Sequence, residues 1–100
     1  MASTPEKRVK ETVKKTLDAM GIWHFSPYQA GMGRAGIPDI IACYKGLFVA
    51  IECKAGKGKT TALQEREIEA IRRAKGLAFV VNEDNMHNIK ELLTWNKDEH

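Results

Sequence analysis

Apolar residues recur at three- and four-residue spacing in three stretches of the chain and form short blocks in four others, a pattern that predicts helices interleaved with strands. Val9, Val13, Leu17 and Met20 make a helical stripe that stops at Gly21. Thr4-Pro5-Glu6 supplies its start, with a threonine cap, proline at the first helical position and an acid near the positive end of the dipole. Ile22-Trp23-His24-Phe25 reads as a short strand closed by Ser26-Pro27. The stretch from Tyr28 to Gly36, with Gly31, Gly33 and Gly36 around Arg34, reads as a loop. Ile40 to Tyr44 and Leu47 to Ile51 are separated only by Lys45-Gly46, which is a hairpin signal. A second helix is expected from Thr60 or Thr61 to Gly76. Leu77 to Val81 is apolar throughout, as in a strand buried on both faces. A last helix, capped by Asn82 or Asp84, would carry Met86, Ile89, Leu92, Leu93 and Trp95.

The predicted order is α-β-β-β-α-β-α. The fold class that follows is α/β, one mixed sheet flanked by helices, with residues 1–100 as one domain. A crossover joins the last strand, which is therefore expected to run parallel to a neighbour. Composition (43% hydrophobic, 29% charged) fits a globular chain. No apolar run approaches the roughly 18 residues of a membrane span and no signal-peptide stretch is visible, so no membrane association and a cytoplasmic setting are expected. Cys43 and Cys53 fall in predicted strands without C-x-x-C spacing, and His24 and His87 are not at zinc spacing from them; both cysteines are expected to be buried free thiols. Net charge is +3. Its basic residues cluster on the first helix (Lys7, Arg8, Lys10, Lys14, Lys15), after Lys54 (Lys57, Lys59) and on the later helix (Arg66, Arg72, Arg73, Lys75). Each cluster alone is compatible with a solvated face; together they lean towards an anionic partner.

The hairpin is where chemistry enters. A symmetric turn at Lys45-Gly46 sets Tyr44 opposite Leu47, and continuing that register sets Asp39 opposite Glu52, with Cβ atoms about 4.5–5.5 Å apart. Side chains alternate, so Lys54 shares the face of Glu52 and Cys53 points the other way. Two opposed carboxylates repel, and exposure, a raised pKa or a cation must relieve them. Hard cations such as Mg²⁺ or Mn²⁺ take oxygen ligands, activate water and neutralise charge on phosphate. Lys54 would then position the attacking water or stabilise the transition state. The bland alternative is a wet sheet edge on which Lys54 simply neutralises Glu52. Pro38 and the glycine-rich loop before Asp39, where a backbone can approach a ligand closely, weigh against it.

Gly36-Ile37-Pro38-Asp39, twelve intervening residues and Glu52-Cys53-Lys54 resemble the P-D…(D/E)-x-K signature of a large nuclease superfamily. With Thr4-Pro5-Glu6 at the first helix and Gln64 opening the second, the chain is similar over almost its whole length to the VRR-NUC family, in particular its small phage-type members. The resemblance implies a restriction-endonuclease-like α-β-β-β-α-β core with a C-terminal helix, hydrolysing DNA phosphodiester bonds with Mg²⁺ or Mn²⁺ in a phage or bacterial host cell. It implies that Asp39 and Glu52 bind metal, that the Cys53 backbone carbonyl completes the metal site, and that Lys54 is catalytic. It also implies likeness to Holliday junction resolvases: a homodimer with structure-selective cleavage of branched or four-way DNA.

Two further positions stay open between roles. Glu6 lies on the stripe of Val9, Val13 and Leu17 and is expected to look towards the sheet, as a third acid of the site or as a helix-dipole partner, whereas Glu11 should face solvent. Gln64 shares a stripe with Ile68 and Ile71, yet Thr61-x-x-Gln64 is also a capping box. Arg34, Lys57 and Lys59 are candidate DNA phosphate contacts from loops on either side of the carboxylates. Trp23 and Trp95 read as core or dimer contact rather than base-stacking platforms. Two other functions compete with the nuclease: a non-catalytic nucleic-acid-binding module on the same scaffold, and a protein-interaction domain with merely solvated basic faces.

Overall fold

The computed structural model describes residues 4–28 and 33–95, the Trp95 side chain excepted. Gly31 of the expected loop and the expected contacts of the Trp95 ring lie outside the described residues. Helix α1 spans Pro5–Ala19, with Thr4 as its cap, accepting the Lys7 N–H at 3.2 Å. Gly21 ends it at φ 69°, and the N–H groups of Gly21 and Ile22 bond back to the Asp18 and Leu17 carbonyls. Strands β1 (Trp23–Phe25), β2 (Ile40–Tyr44) and β3 (Leu47–Cys53) follow, then helix α2 (Ala62–Arg73), strand β4 (Leu77–Val81) and helix α3 (Ile89–Trp95).

The sheet order is β1-β2-β3-β4. The first three strands are antiparallel, and α2 carries the chain across so that β4 runs parallel to β3. Lys45 and Gly46 both sit at positive φ (52° and 84°), the tight hairpin turn whose twist matches that of its strands. Pairing from Tyr44↔Leu47 to Ile40↔Ile51 is the register expected from the sequence.

Strand alternation divides the core in two. Ile40, Ala42, Val49, Ile51 and Cys53 face one side, packed with Val9, Val13 and Leu17 of α1 and Ile89 and Leu93 of α3. Ala50 and Ala78 face the other, against Ile68 of α2. The outer half of that second face stays open: Trp23, Phe25 and Phe48 are 63%, 47% and 48% exposed. Trp23 therefore does not belong to the core. Helix α3 is shorter than expected, because Asn82 and Asn85 spend their side chains on a turn. The Asn82 side chain accepts from Asp84 N–H and that of Asn85 from Asn82 N–H, so neither Asn82 nor Asp84 caps the helix. No described helix is long and apolar enough to cross a membrane.

Candidate active site

Asp39 stands one residue before β2 and Glu52 one residue before the end of β3, so the hairpin register brings both to one end of the sheet. Asp39 Oδ2 accepts the Cys53 N–H at 2.8 Å, while the next N–H, of Lys54, goes to the Val81 carbonyl on the β4 side at 2.9 Å. The N–H and C=O of one strand residue point the same way, which turns the Cys53 carbonyl towards Asp39.

Glu52 is 2% exposed. Its Oε2 accepts from Gln64 Nε2 at 3.1 Å and lies 3.5 Å from Lys54 Nζ. Its Oε1 is buried without a hydrogen-bond partner. Burial, and then the charge of Asp39, push the Glu52 carboxyl up to about 7, against the opposing pull of Lys54. No group of three His, Cys, Asp or Glu side chains able to hold a metal occurs among the described residues. The donor set here is two carboxylates and a backbone carbonyl. That set fits a hard cation which keeps several waters, and it does not fit the nitrogen and sulfur ligands of a structural zinc. The orphaned, buried Oε1 is the feature such a cation would satisfy.

Gln64 holds both positions left open by the sequence. Its Oε1 accepts the Thr61 N–H at 2.9 Å and its own N–H reaches Thr61 Oγ1 at 3.2 Å, completing the capping box. Its Nε2 is left free to donate to Glu52. One amide caps the helix and orients the acid.

Glu6 departs from expectation. It does not turn into the sheet: the first turn of α1 is exposed and its covered face begins at Val9. Glu6 instead lines an open cleft of about 560 Å³ together with Lys7, Lys10, Lys14 and Asp39. Arg34 is paired within the protein while keeping most of its side chain in solvent. Its Nε lies 2.7 Å from Oε2 of Glu67, which is 5% exposed, so a buried acid on α2 holds one edge of a guanidinium whose side chain is 68% exposed. Lys57 and Lys59 are exposed on the loop after Lys54, and Glu83 fixes that loop by accepting the Gly56 N–H. Cys43 is exposed and Cys53 buried, which corrects the expectation that both thiols are internal. Burial pushes the Cys53 thiol up to about 12, leaving it unreactive.

Two contributors were not singled out from the sequence, and the close packing of a third, Gly36, was not foreseen. Glu67 lies three residues past Gln64 on the inner edge of the same stripe, which was the available signal. Lys10, one turn past Glu6, sits with its Nζ 3.9 Å from Asp39 Oδ1. Gly36, at φ 81°, presses so closely on α2 that a Cβ there would meet the Leu63 carbonyl oxygen at 2.5 Å. This contact sets the loop that delivers Asp39 against the helix that delivers Gln64.

Comparison with known proteins bears on the fold and the family. The model of the archaeal Holliday junction resolvase (Hjc) family matches residues 11–97. A solved VRR_NUC domain superposes with a TM-score of 0.75 at 26% identity, covering 89% of this chain and 97% of that one. A second solved structure, a VRR_NUC domain protein, gives 0.65 at 20% identity over 94% and 92%, and bears on the fold alone. A search of curated proteins finds no match. Fold and family together define a nuclease of the restriction-endonuclease-like class. The chain belongs to the archaeal Holliday junction resolvase family, and the VRR-NUC likeness read from its motifs is borne out. The family match includes Asp39, Glu52, Lys54 and Gln64 and leaves Glu6 outside it.

Proposed function

We propose that this chain is a divalent-metal-dependent endonuclease that cuts branched DNA as a homodimer. The observation that carries the reading is the Glu52 carboxylate: buried, one oxygen unpartnered, beside Asp39 and at the end of a hairpin. Burying an acid this way costs stability unless something with positive charge completes it. Asp39, Glu52 and the Cys53 carbonyl would hold Mg²⁺ or Mn²⁺. Bound there, the ion would lower the pKa of a coordinated water and offset charge on the phosphate.

The chain's own groups do the rest. Gln64 holds Glu52 in one rotamer through its Nε2. Lys54, largely buried and 3.5 Å from Glu52, is placed to orient the attacking water and to stabilise the pentacovalent phosphorus. Glu6, which lines the same cleft as Asp39, acts as a third acid at the edge of the site. Arg34, Lys57 and Lys59 contact DNA phosphates beyond the cut, Arg34 with the part of its side chain that Glu67 leaves in solvent. The open apolar face of the sheet supports the dimer. Trp23, Phe25, Ile41, Cys43 and Phe48 lie along it and none of its lining residues is charged, which suits another apolar surface better than a polyanion. Two sites related by a twofold axis would serve the two strands of a symmetric junction.

The test is cleavage of linear, flapped, Y-shaped and four-way DNA by wild type and Asp39→Ala, with Mg²⁺, with Mn²⁺ and with excess chelator. Cleavage of a branched substrate by wild type alone, and only with metal, is expected. Cleavage by Asp39→Ala or in chelator would refute the mechanism, and tight binding without any cleavage would make the chain a binding module on this scaffold.

A further inference from the structure

Each carboxylate of the pair has its own ammonium group. Lys54 Nζ lies 3.5 Å from Glu52 Oε2, and Lys10 Nζ lies 3.9 Å from Asp39 Oδ1. Lys54 belongs to the same strand segment and motif as Glu52. Lys10 belongs to no motif and reaches over from α1 on the other side of the site. It sits one helical turn after Glu6, lines the same cleft as Glu6 and Asp39, and keeps about a third of its side chain in solvent. Among the described residues it is the one cation paired with Asp39.

The two oxygens of Asp39 are not equivalent. Oδ2 already accepts the Cys53 N–H, which leaves Oδ1, the atom Lys10 faces, the less engaged of the two towards a cation. A divalent ion held by Asp39, Glu52 and the Cys53 carbonyl would, on taking Oδ1, take over the atom that Lys10 now neutralises. Two like charges cannot share that oxygen without strong repulsion. A lysine is suited to yielding, because its ammonium rides on a flexible four-carbon stem that can swing into the cleft while the helix stays in place.

Resting on the two-carboxylate reading above, we propose that Lys10 is a positioning residue and the internal counter-ion of Asp39 in the metal-free protein. The arriving metal displaces it, and the released ammonium group binds a non-bridging phosphate oxygen of the scissile strand in the cleft. Lys10 thus offsets the repulsion between the two acids in the empty site and gives the loaded site an added phosphate contact.

The two halves of this role predict effects of opposite sign, which a merely structural salt bridge would not produce. Lys10→Met, of similar length and without charge, is expected to bind Mn²⁺ about three- to tenfold more tightly in the absence of DNA, since the ion no longer competes with an ammonium group. Its kcat/KM on branched DNA is expected to fall about tenfold through the lost charge-assisted phosphate contact. Lys10→Arg keeps the charge and should stay near wild type in both. The measurements are calorimetric titration of the full chain with Mn²⁺ alone and steady-state cleavage; circular dichroism serves as the fold control, with Lys10→Gln replacing Lys10→Met if the latter is unstable. Tighter Mn²⁺ binding with weaker cleavage supports the proposal. Unchanged or weaker Mn²⁺ binding, or unchanged kcat/KM, overturns it. If wild type cuts no DNA at all, the nuclease reading fails separately, and the Mn²⁺ titration still decides whether Lys10 is the counter-ion.

Discussion

At the end of the hairpin this molecule buries charge, and on the outer half of its sheet it exposes aromatic rings. Glu52 is 2% exposed with an orphaned oxygen, whereas Trp23, on the edge strand, is 63% exposed and stacks at a tilt on Phe25. Each region departs from the ordinary rule of burial, in opposite directions. A desolvated carboxylate costs free energy, and apolar surface left wet forgoes about 25 cal/mol for every Å² that could be covered. A different partner would offset each deficit: in the proposed reading, a divalent cation in one place and another apolar surface in the other. The pair of departures teaches that one fold can leave two kinds of deficit, each of which specifies the chemistry of the partner that would relieve it.

The strongest way to break the comparison is Glu52→Gln, which keeps the shape and removes the charge. Cleavage is expected to fall about 10³-fold, assayed with Mg²⁺ and Mn²⁺ on branched DNA. The metal-free stability should move the other way. The Glu52 carboxyl is raised from 4.5 to about 7 in the folded state, so between these values the folded chain binds more protons than the unfolded one. Its contribution is fully present below pH 4.5 and is lost as pH rises through about 7. Thermal melts in chelator should therefore show Glu52→Gln more stable than wild type at pH 8 and close to it at pH 5. The same sign makes wild-type Mn²⁺ affinity rise with pH through about 7, since the ion needs the ionised acid.

On the apolar side, Trp23→Lys places a charge in the open face without disturbing the core. The proposed dimer should weaken by about 100-fold, with light scattering falling to the 11.2 kDa monomer mass. A monomeric wild type would remove that half of the comparison. Gly36→Ala tests the scaffold beneath the polar end. Positive φ and a 2.5 Å approach to the Leu63 carbonyl are expected to cost about 1–3 kcal/mol in chemical denaturation. The smallest effect is expected of Cys43→Ser, whose exposed thiol should matter to monomer stability by less than about 0.5 kcal/mol.

How legible all this was from residues alone varied with distance along the chain. The carboxylate pair was legible because a two-residue turn fixes register locally, and Gly46 readily takes the positive φ that the turn imposes on Lys45 as well. The caps at Thr4 and Thr61 were legible for the same reason. Cys43 was misread although strand alternation held the answer: it shares a face with Ile41, the open one, while Cys53 shares the core face of Ile51. Arg34 and Glu67 could not be joined by any local rule, since a loop and a helix 33 residues apart meet only in the folded sheet. The Lys10–Asp39 contact is of the same kind, set by where α1 crosses the end of the sheet.

The double engagement of Gln64 ties assembly to chemistry. The amide that closes the first turn of α2 is the one that steadies the buried acid, so fraying of that turn would also release Glu52. Protection of the Gln64 and Glu65 amides against hydrogen exchange should then track competence for metal, and a chain with a loosened helix start should be an inert chain. Such coupling would spare a host the hazard of a half-formed cutter loose on its own chromosome.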